Sequence, residues 1–412
     1  MSKTRIAAAI TLTGIVAGAA LSATTIAANA DSAPQAKDVV GVGSDIVQNS
    51  LDFLADGNTL GDLGYNSAGN KYRVYSFDAS ADANGRGAFT DPALGSSVIL
   101  NPTTVLRAGT SPVQRPNGGG AGINAILADG SGGTSANLIQ FVRSPNLPTA
   151  NNQTTAQANL GSQLHSVRIA TDHQYIATAA TTNAPAGLTN VQLAEIYCSN
   201  ASTHITKWSD IDPALSGNNI IPEAPQDGSG VIKIFQAGLS AGLSGQPCTF
   251  NANVLRVQQN DPNTITSATS PADAIVPFPK GRFDLYNAGY FHNPNQPYNS
   301  TTSFGAGTAL SAAGIKLQVP GTGSVAADAF AATIPYYIVF RESDASSTTA
   351  WQPGSTLNWV KTLFFNADYD FTNPSAPTNP PAPFVASQQG QQLLTDIGLT
   401  PSYQDCGNAS TC

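Results

Sequence analysis

Three consecutive glycines, Gly118, Gly119 and Gly120, stand directly before residues 121–127, AGINAIL, which read as the first turns of a helix. Glycine lets a backbone approach a guest closely and adopt φ > 0. A helix start offers N–H groups without intrahelical partners and a partial positive charge. With Asn117 ahead of them, these residues make a cradle for an anion that needs no lysine. A flexible turn before a surface helix has the same composition, so the weight falls on what accompanies it.

Three further turns carry compatible chemistry. Ser44 and Asp45 close the apolar run VVGVG and can cap a following helix over residues 46–55 or turn its start toward a ligand. Arg143 and Ser144 end the stretch ANLIQFVRSP, where a planar guanidinium and a hydroxyl can meet an oxyanion, or simply a solvated strand end. Residues 231–235, VIKIF, read as a strand entering a Gly/Ser-rich turn, residues 236–242, in which Gln236, Gly238, Ser240 and Gly242 are candidate donors ahead of another helix. The same residues match G-x-S-x-G, so Ser240 is also a candidate nucleophile. A serine hydrolase would then need His292, the one downstream histidine, with Asp261, Asp273 or Asp284 as its acid.

The composition narrows the classes. The chain has 412 residues, enough for two cored domains, with only 11% charged residues and a net charge of -8. That balance argues against nucleic acid as a partner but leaves room for a small anion held by backbone dipoles. The four histidines show no metal-ligand spacing, and neither metal nor cofactor is expected. Lys3 and Arg5, an apolar run from Ile6 to Leu21 and Ala28-Asn29-Ala30 form a signal peptide over residues 1–30, with no lipobox cysteine. A secreted or cell-surface location, with no transmembrane segment in the mature chain and a monomeric state, is the expectation. Four cysteines in an exported chain suggest two disulfides with three possible pairings; the pairs nearest in sequence, Cys198–Cys248 and Cys406–Cys412, are expected.

The elements that must position these turns alternate. Strands are expected at 72–77, 136–145, 173–182, 274–278 and 335–340, and helices at 188–197, 358–366 and 388–397, the last stopped by Gly398. Residues 146–165 and 286–305 read as surface loops. Strand, Gly/Ser turn and helix recurring in order predict α/β organisation, with ligands at the carboxyl ends of the strands.

Residues 188–211, LTNVQLAEIYCSNASTHITKWSDI, resemble the phosphate-binding protein family of bacterial ABC importers, through Leu188, Thr189, Leu193, Ile196, Tyr197, Ile205, Thr206, Trp208 and Ile211. The order VGVGSD, RPNGGGAGI, FVRS and FQAGLSAG is similar to the family as well. The resemblance implies a two-lobed periplasmic-binding-protein-like (type II) fold with two hinge crossovers and a ligand cleft between the lobes. It places residues 38–170 and 337–412 in lobe 1 and residues 171–336 in lobe 2. It implies a non-enzymatic protein that captures phosphate or a related oxyanion and hands it to an ABC permease. The family's site Arg, Asp and Ser-Gly-Thr are not matched at these positions: Pro145 aligns near the Asp, Asp45 stands where a Thr donor is usual, and Arg143 is left to balance charge. A surface or adhesion protein that keeps the scaffold without binding a solute is the alternative, and serine hydrolysis at Ser240 a second one.

Overall fold

The computed structural model describes residues 34–412 except 59–61, 69–71, 80–86, 92–95, 101–102, 130–136, 259, 288–313 and 347–357. The expected signal peptide and His292 lie outside the described residues. Residues 33–412 form one compact unit.

In chain order the first elements are β1 (Val39–Gly43), α1 (Gln48–Asp56), β2 (Val74–Ser76), β3 (Gly87–Asp91), β4 (Ser96–Leu100), β5 (Thr103–Thr104), β6 (Val113–Gln114), α2 (Gly119–Asp129) and β7 (Phe141–Ser144). There follow α3 (Ala150–Leu160), β8 (Leu164–Ala179), α4 (Asn190–Tyr197), β9 (Ile221–Pro225), α5 (Val231–Gly242), β10 (Leu255–Val257), α6 (Asn263–Thr266), β11 (Ala274–Pro279) and α7 (Lys280–Asn287). The chain ends through β12 (Ile315–Leu317), β13 (Ala331–Arg341), α8 (Glu342–Ser346), α9 (Trp359–Leu363), α10 (Gln388–Asp396) and β14 (Thr400–Gly407).

Among the described residues one ten-stranded sheet runs β10-β9-β11-β8-β13-β7-β1-β2, with β12 and β14 also paired to β8. Its outer groups, β2-β1-β7 and β10-β9-β11, are parallel within themselves. Two long strands, β8 and β13, pair antiparallel between them. Parallel strands are buried on both faces, which explains the unbroken apolar run of β1 and the fully buried β11. Core clusters cover the β1/β7 end from both sides: Leu51, Leu54, Trp359 and Leu394 on one, Ile123, Ile126 and Leu127 on the other. At the β9/β11 end the clusters are built on Leu193, Tyr197, Trp208, Phe235 and Leu239, and on Ile265, Val276 and Phe278.

Several local expectations hold. The three expected helices form as α4, α9 and α10: Thr189 caps α4 in a reciprocal box with Gln192, and Gly398, at φ +80°, follows the end of α10. Both expected disulfides are formed, Cys198–Cys248 and Cys406–Cys412. Three expectations do not hold. Residues 150–160 are helical, because Thr149 and Asn152 build a capping box that the polar composition concealed. The helix after β1 starts at Gln48 with Val47 at its cap and no side-chain cap bond, so neither Ser44 nor Asp45 caps it. Residues 231–235 are the first turns of α5, not a strand: Val231, Phe235 and Leu239 recur every four residues and are the buried face.

Candidate functional site

The loops that matter leave the carboxyl ends of parallel strands. Beyond β1 come Ser44 and Asp45, and Gly43 makes a parallel bridge with Asn117 just ahead of α2. Beyond β7 come Ser144, Pro145 and Asn146; beyond β9, Gln226, Asp227, Gly228, Ser229 and Gly230, which lead into α5; beyond β10, Gln258 and Asn260. The starts of α2 and α5 meet. Gly118 has φ +105°, and a Cβ there would lie 2.2 Å from the carbonyl oxygen of Gly228. Gly230 is pressed against the other side: its Cβ would lie 2.3 Å from Pro145 Cγ, while Asn146 Nδ2 donates to the Gly230 carbonyl at 2.8 Å. Two helix N-termini, with their N–H groups and positive dipole ends, thus share one locus.

A part-buried net of carboxamides surrounds it. Asn117 Nδ2 donates to Gln258 Oε1 (3.2 Å), and Gln226 Nε2 to Asn117 Oδ1 (3.5 Å). Gln258 Nε2 donates to Asp45 and, at 2.8 Å, to Asn260 Oδ1. Arg282, on the first turn of α7, donates from Nε to the Asn260 carbonyl at 3.4 Å. Asp45 is 1% exposed. Burial raises its carboxyl pKa, opposed by its own and the Ile46 backbone N–H, by the Arg282 charge and by Gln226. Three buried polar atoms of this region, Ser229 Oγ, Gln226 Oε1 and Asn260 Nδ2, have no hydrogen-bond partner. Such atoms are costly unless something satisfies them.

The expected site residues divide. Asn117, Gly118, Gly119, Gly120, Ser44, Asp45 and Ser144 are gathered around this locus. Arg143 is near it but differently employed. It is fully buried, and four of its N–H groups go to Ser44 O, Ser76 Oγ, Gly43 O and Phe77 O. Burial lowers its pKa against the pull of Asp52, Asp78 and Asp45. It ties β1, β2 and β7 together at their carboxyl ends rather than offering a free fork. The Ser144 hydroxyl is likewise turned to its own loop, donating to Asn146 O at 2.6 Å.

Gln236, Gly238, Ser240 and Gly242 are not at a helix start. They lie from the second turn of α5 to its end, where N–H groups bond the preceding turn. Gly238 lets Phe330 approach and Gly242 lets the Asn190 carbonyl approach, so both serve packing. Ser240, in the last turn of α5, does not occupy the strand-to-helix elbow that a hydrolase nucleophile needs. The residues that sequence reasoning missed are Gln226, Gly228, Ser229, Gly230, Gln258, Asn260 and Arg282. A period of four in VIKIFQAGL, as against a period of two, would have moved the helix start back to the D-G-S-G stretch. Nothing in the sequence marks Gln258, Asn260 or Arg282.

Among the described residues no group of three or more His, Cys, Asp or Glu could hold a metal ion, and no helix is long and apolar enough to cross a membrane.

Residues 91–352 match the PBP superfamily domain, a span from β3 to beyond α8 that holds nearly every loop just described. The chain belongs to the PBP superfamily. A comparison with curated proteins finds no match. Among solved structures, a protein from Clostridium perfringens, described as a phosphate ABC transporter substrate-binding protein with bound phosphate, aligns over 89% of this chain and 99% of its own, at 12% identity and a TM-score of 0.47. An ABC-type phosphate transport receptor from Vibrio cholerae aligns over 89% and 100%, at 14% identity and a TM-score of 0.45. The PBP superfamily fold accounts for the mixed α/β architecture, with helices on both faces of one curled sheet.

Proposed function

We propose that this member of the PBP superfamily is an exported, monomeric solute-binding protein that captures phosphate or a related oxyanion for an ABC permease. Its two lobes are residues 38–170 with 337–412, and residues 171–336. Strands β8 and β13 carry the crossings between them. The observation that carries this reading is the contact of the α2 and α5 starts at Gly118 and Gly228. Main-chain N–H groups of residues 118–120 and 230–231 then face one guest from opposite sides, with the Ser229 hydroxyl as a further donor, the Ser229 N–H itself being taken up by the Gln226 carbonyl. The unpartnered buried atoms of Ser229, Gln226 and Asn260 support the same locus. Closure of the lobes excludes water and strengthens each of these dipoles.

Titration calorimetry with phosphate and sulfate tests the reading, with thermal melts alongside. A guest held at a hundredfold excess over Kd stabilises the fold by about 2.7 kcal/mol. Heat of binding with a raised melting temperature is the expected result; neither, for either anion, ends the reading.

One observation favours a second reading, a surface protein that keeps the scaffold without a solute. The amides of Asn117, Gln226, Gln258 and Asn260 already bond one another and Asp45 across the locus. The same titration separates the two.

A further inference from the structure

We propose that Arg282 supplies the positive charge to the bound oxyanion. This rests on the solute-binding reading above and assigns the charge to a residue outside all the turns that the sequence singled out. Arg143, the obvious candidate, is committed to three carbonyls and the Ser76 hydroxyl, and those bonds hold three strand ends in place. Turning it toward a guest would break them.

Arg282 is placed otherwise. It is 6% exposed, and its guanidinium lies 5.2 Å from the centroid of the Tyr286 ring one turn on, which fixes its plane. Its Nε bonds the Asn260 carbonyl; the side chain of Asn260 accepts from Gln258, and Gln258 donates to Asp45. The arginine therefore belongs to the same net as the unpartnered Ser229, Gln226 and Asn260 atoms. Its charge acts on Asp45 and on the Tyr336 hydroxyl.

The backbone that carries Arg282 is anchored independently. The Gly281 N–H donates to both carboxylate oxygens of Asp172, each at 3.0 Å. Asp172 lies on β8 and accepts from Tyr336 of β13 at 2.9 Å; the Tyr336 hydroxyl is also within 3.2 Å of the Ile46 carbonyl, beside Asp45. The two central strands thus hold the start of α7 against the loop that follows β1. A cation anchored to the strands between the lobes reaches the guest whichever lobe receives it first. It also offsets the buried Asp45, which alone would repel an anion.

The test is phosphate titration of the full mature chain and of Arg282→Gln, with circular dichroism to verify folding. The expected result is a loss of affinity of about tenfold to a hundredfold, the range for one charge-assisted contact. A second measurement needs no variant. In wild-type protein labelled with ¹⁵N-arginine, the Arg282 Nε–H resonance, assigned by its loss in Arg282→Lys, shifts on addition of phosphate. Wild type that binds phosphate while Arg282→Gln binds equally well, or while the Nε–H resonance stays still, overturns the assignment and leaves the solute reading intact. Wild type that binds neither phosphate nor sulfate ends the solute reading, and the assignment falls with it.

Discussion

Gly118 and Gly228 stand so close that a Cβ on the first would lie 2.2 Å from the carbonyl oxygen of the second. The first comes from the approach to α2 and the second from the approach to α5, 110 positions later in the chain. Gly118 also holds a φ of +105°, which L side chains rarely adopt. Gly118→Ala should therefore push the two loops apart and strain its own. We expect a stability loss of roughly 1–3 kcal/mol and weakened phosphate binding. Thermal melts and calorimetry measure both, and a variant that matches wild type in each would show that the contact is incidental.

Asp45 offers a test by pH. Its carboxyl is buried and its pKa is raised, so the neutral form persists above the ordinary 3.8. As pH rises through that raised value, the carboxylate forms beside the locus proposed for an anion. Wild-type affinity for sulfate, whose own charge is constant over this range, should fall as Asp45 ionises. Asp45→Asn should bind more tightly at neutral pH, with a flatter profile. Equal profiles for both proteins would remove Asp45 from the neighbourhood of the guest.

The C-terminal strand carries its own electrostatic clamp. His165, on β8, hydrogen-bonds Glu342 through Nδ1 at 2.8 Å and forms an ion pair with Asp405 of β14 through Nε2 at 2.9 Å, with its ring packed on Phe340 and Phe365. Burial lowers its pKa, but the bonds and charges of Asp405 and Glu342 override this and raise it from 6.5 to about 9. A histidine whose folded pKa lies above the unfolded one stabilises fully below pH 6.5, and the contribution is lost as pH climbs through about 9. Both carboxylates are partly exposed, so we expect roughly 1–2 kcal/mol, discounted for solvent screening. His165→Gln should melt lower at pH 6 and converge on wild type near pH 10. Parallel melting curves across that range would count against the clamp.

The Cys198–Cys248 bridge closes a segment whose ends are 50 residues apart, joining the end of α4 to the loop after α5. Chain-entropy reasoning gives about 4 kcal/mol for such a loop. Replacing both cysteines by alanine should lower the denaturation midpoint accordingly while leaving the α2–α5 contact, and so phosphate affinity, little changed. Loss of affinity in a folded double variant would couple the bridge to the site.

Much of this architecture could be read without coordinates. Buried parallel strands announce themselves as unbroken apolar runs, as in VVGVG and AIVPF, and helix ends by Thr189 and Gly398. The glycines at 118–120 could be read too, because backbone proximity leaves glycine as its trace. The start of α5 is hidden in the sequence because VIKIF satisfies both periods over its five residues, and only the burial of Val231, Phe235 and Leu239 on one side decides for the helix.

The sequence by itself determined the α/β class, the cysteine pairs expected from spacing, and one half of the candidate anion cradle, since each depends on residues near one another in the chain. Only the tertiary structure decided the other half. It brought Gly228 to Gly118, turned Arg143 inward onto carbonyls, and carried Arg282 on α7 into the net of Asp45, Gln258 and Asn260. The physical reason is that a cluster closed between distant strand ends is fixed by sheet order and packing, and leaves no local period or motif in any of the segments that supply it.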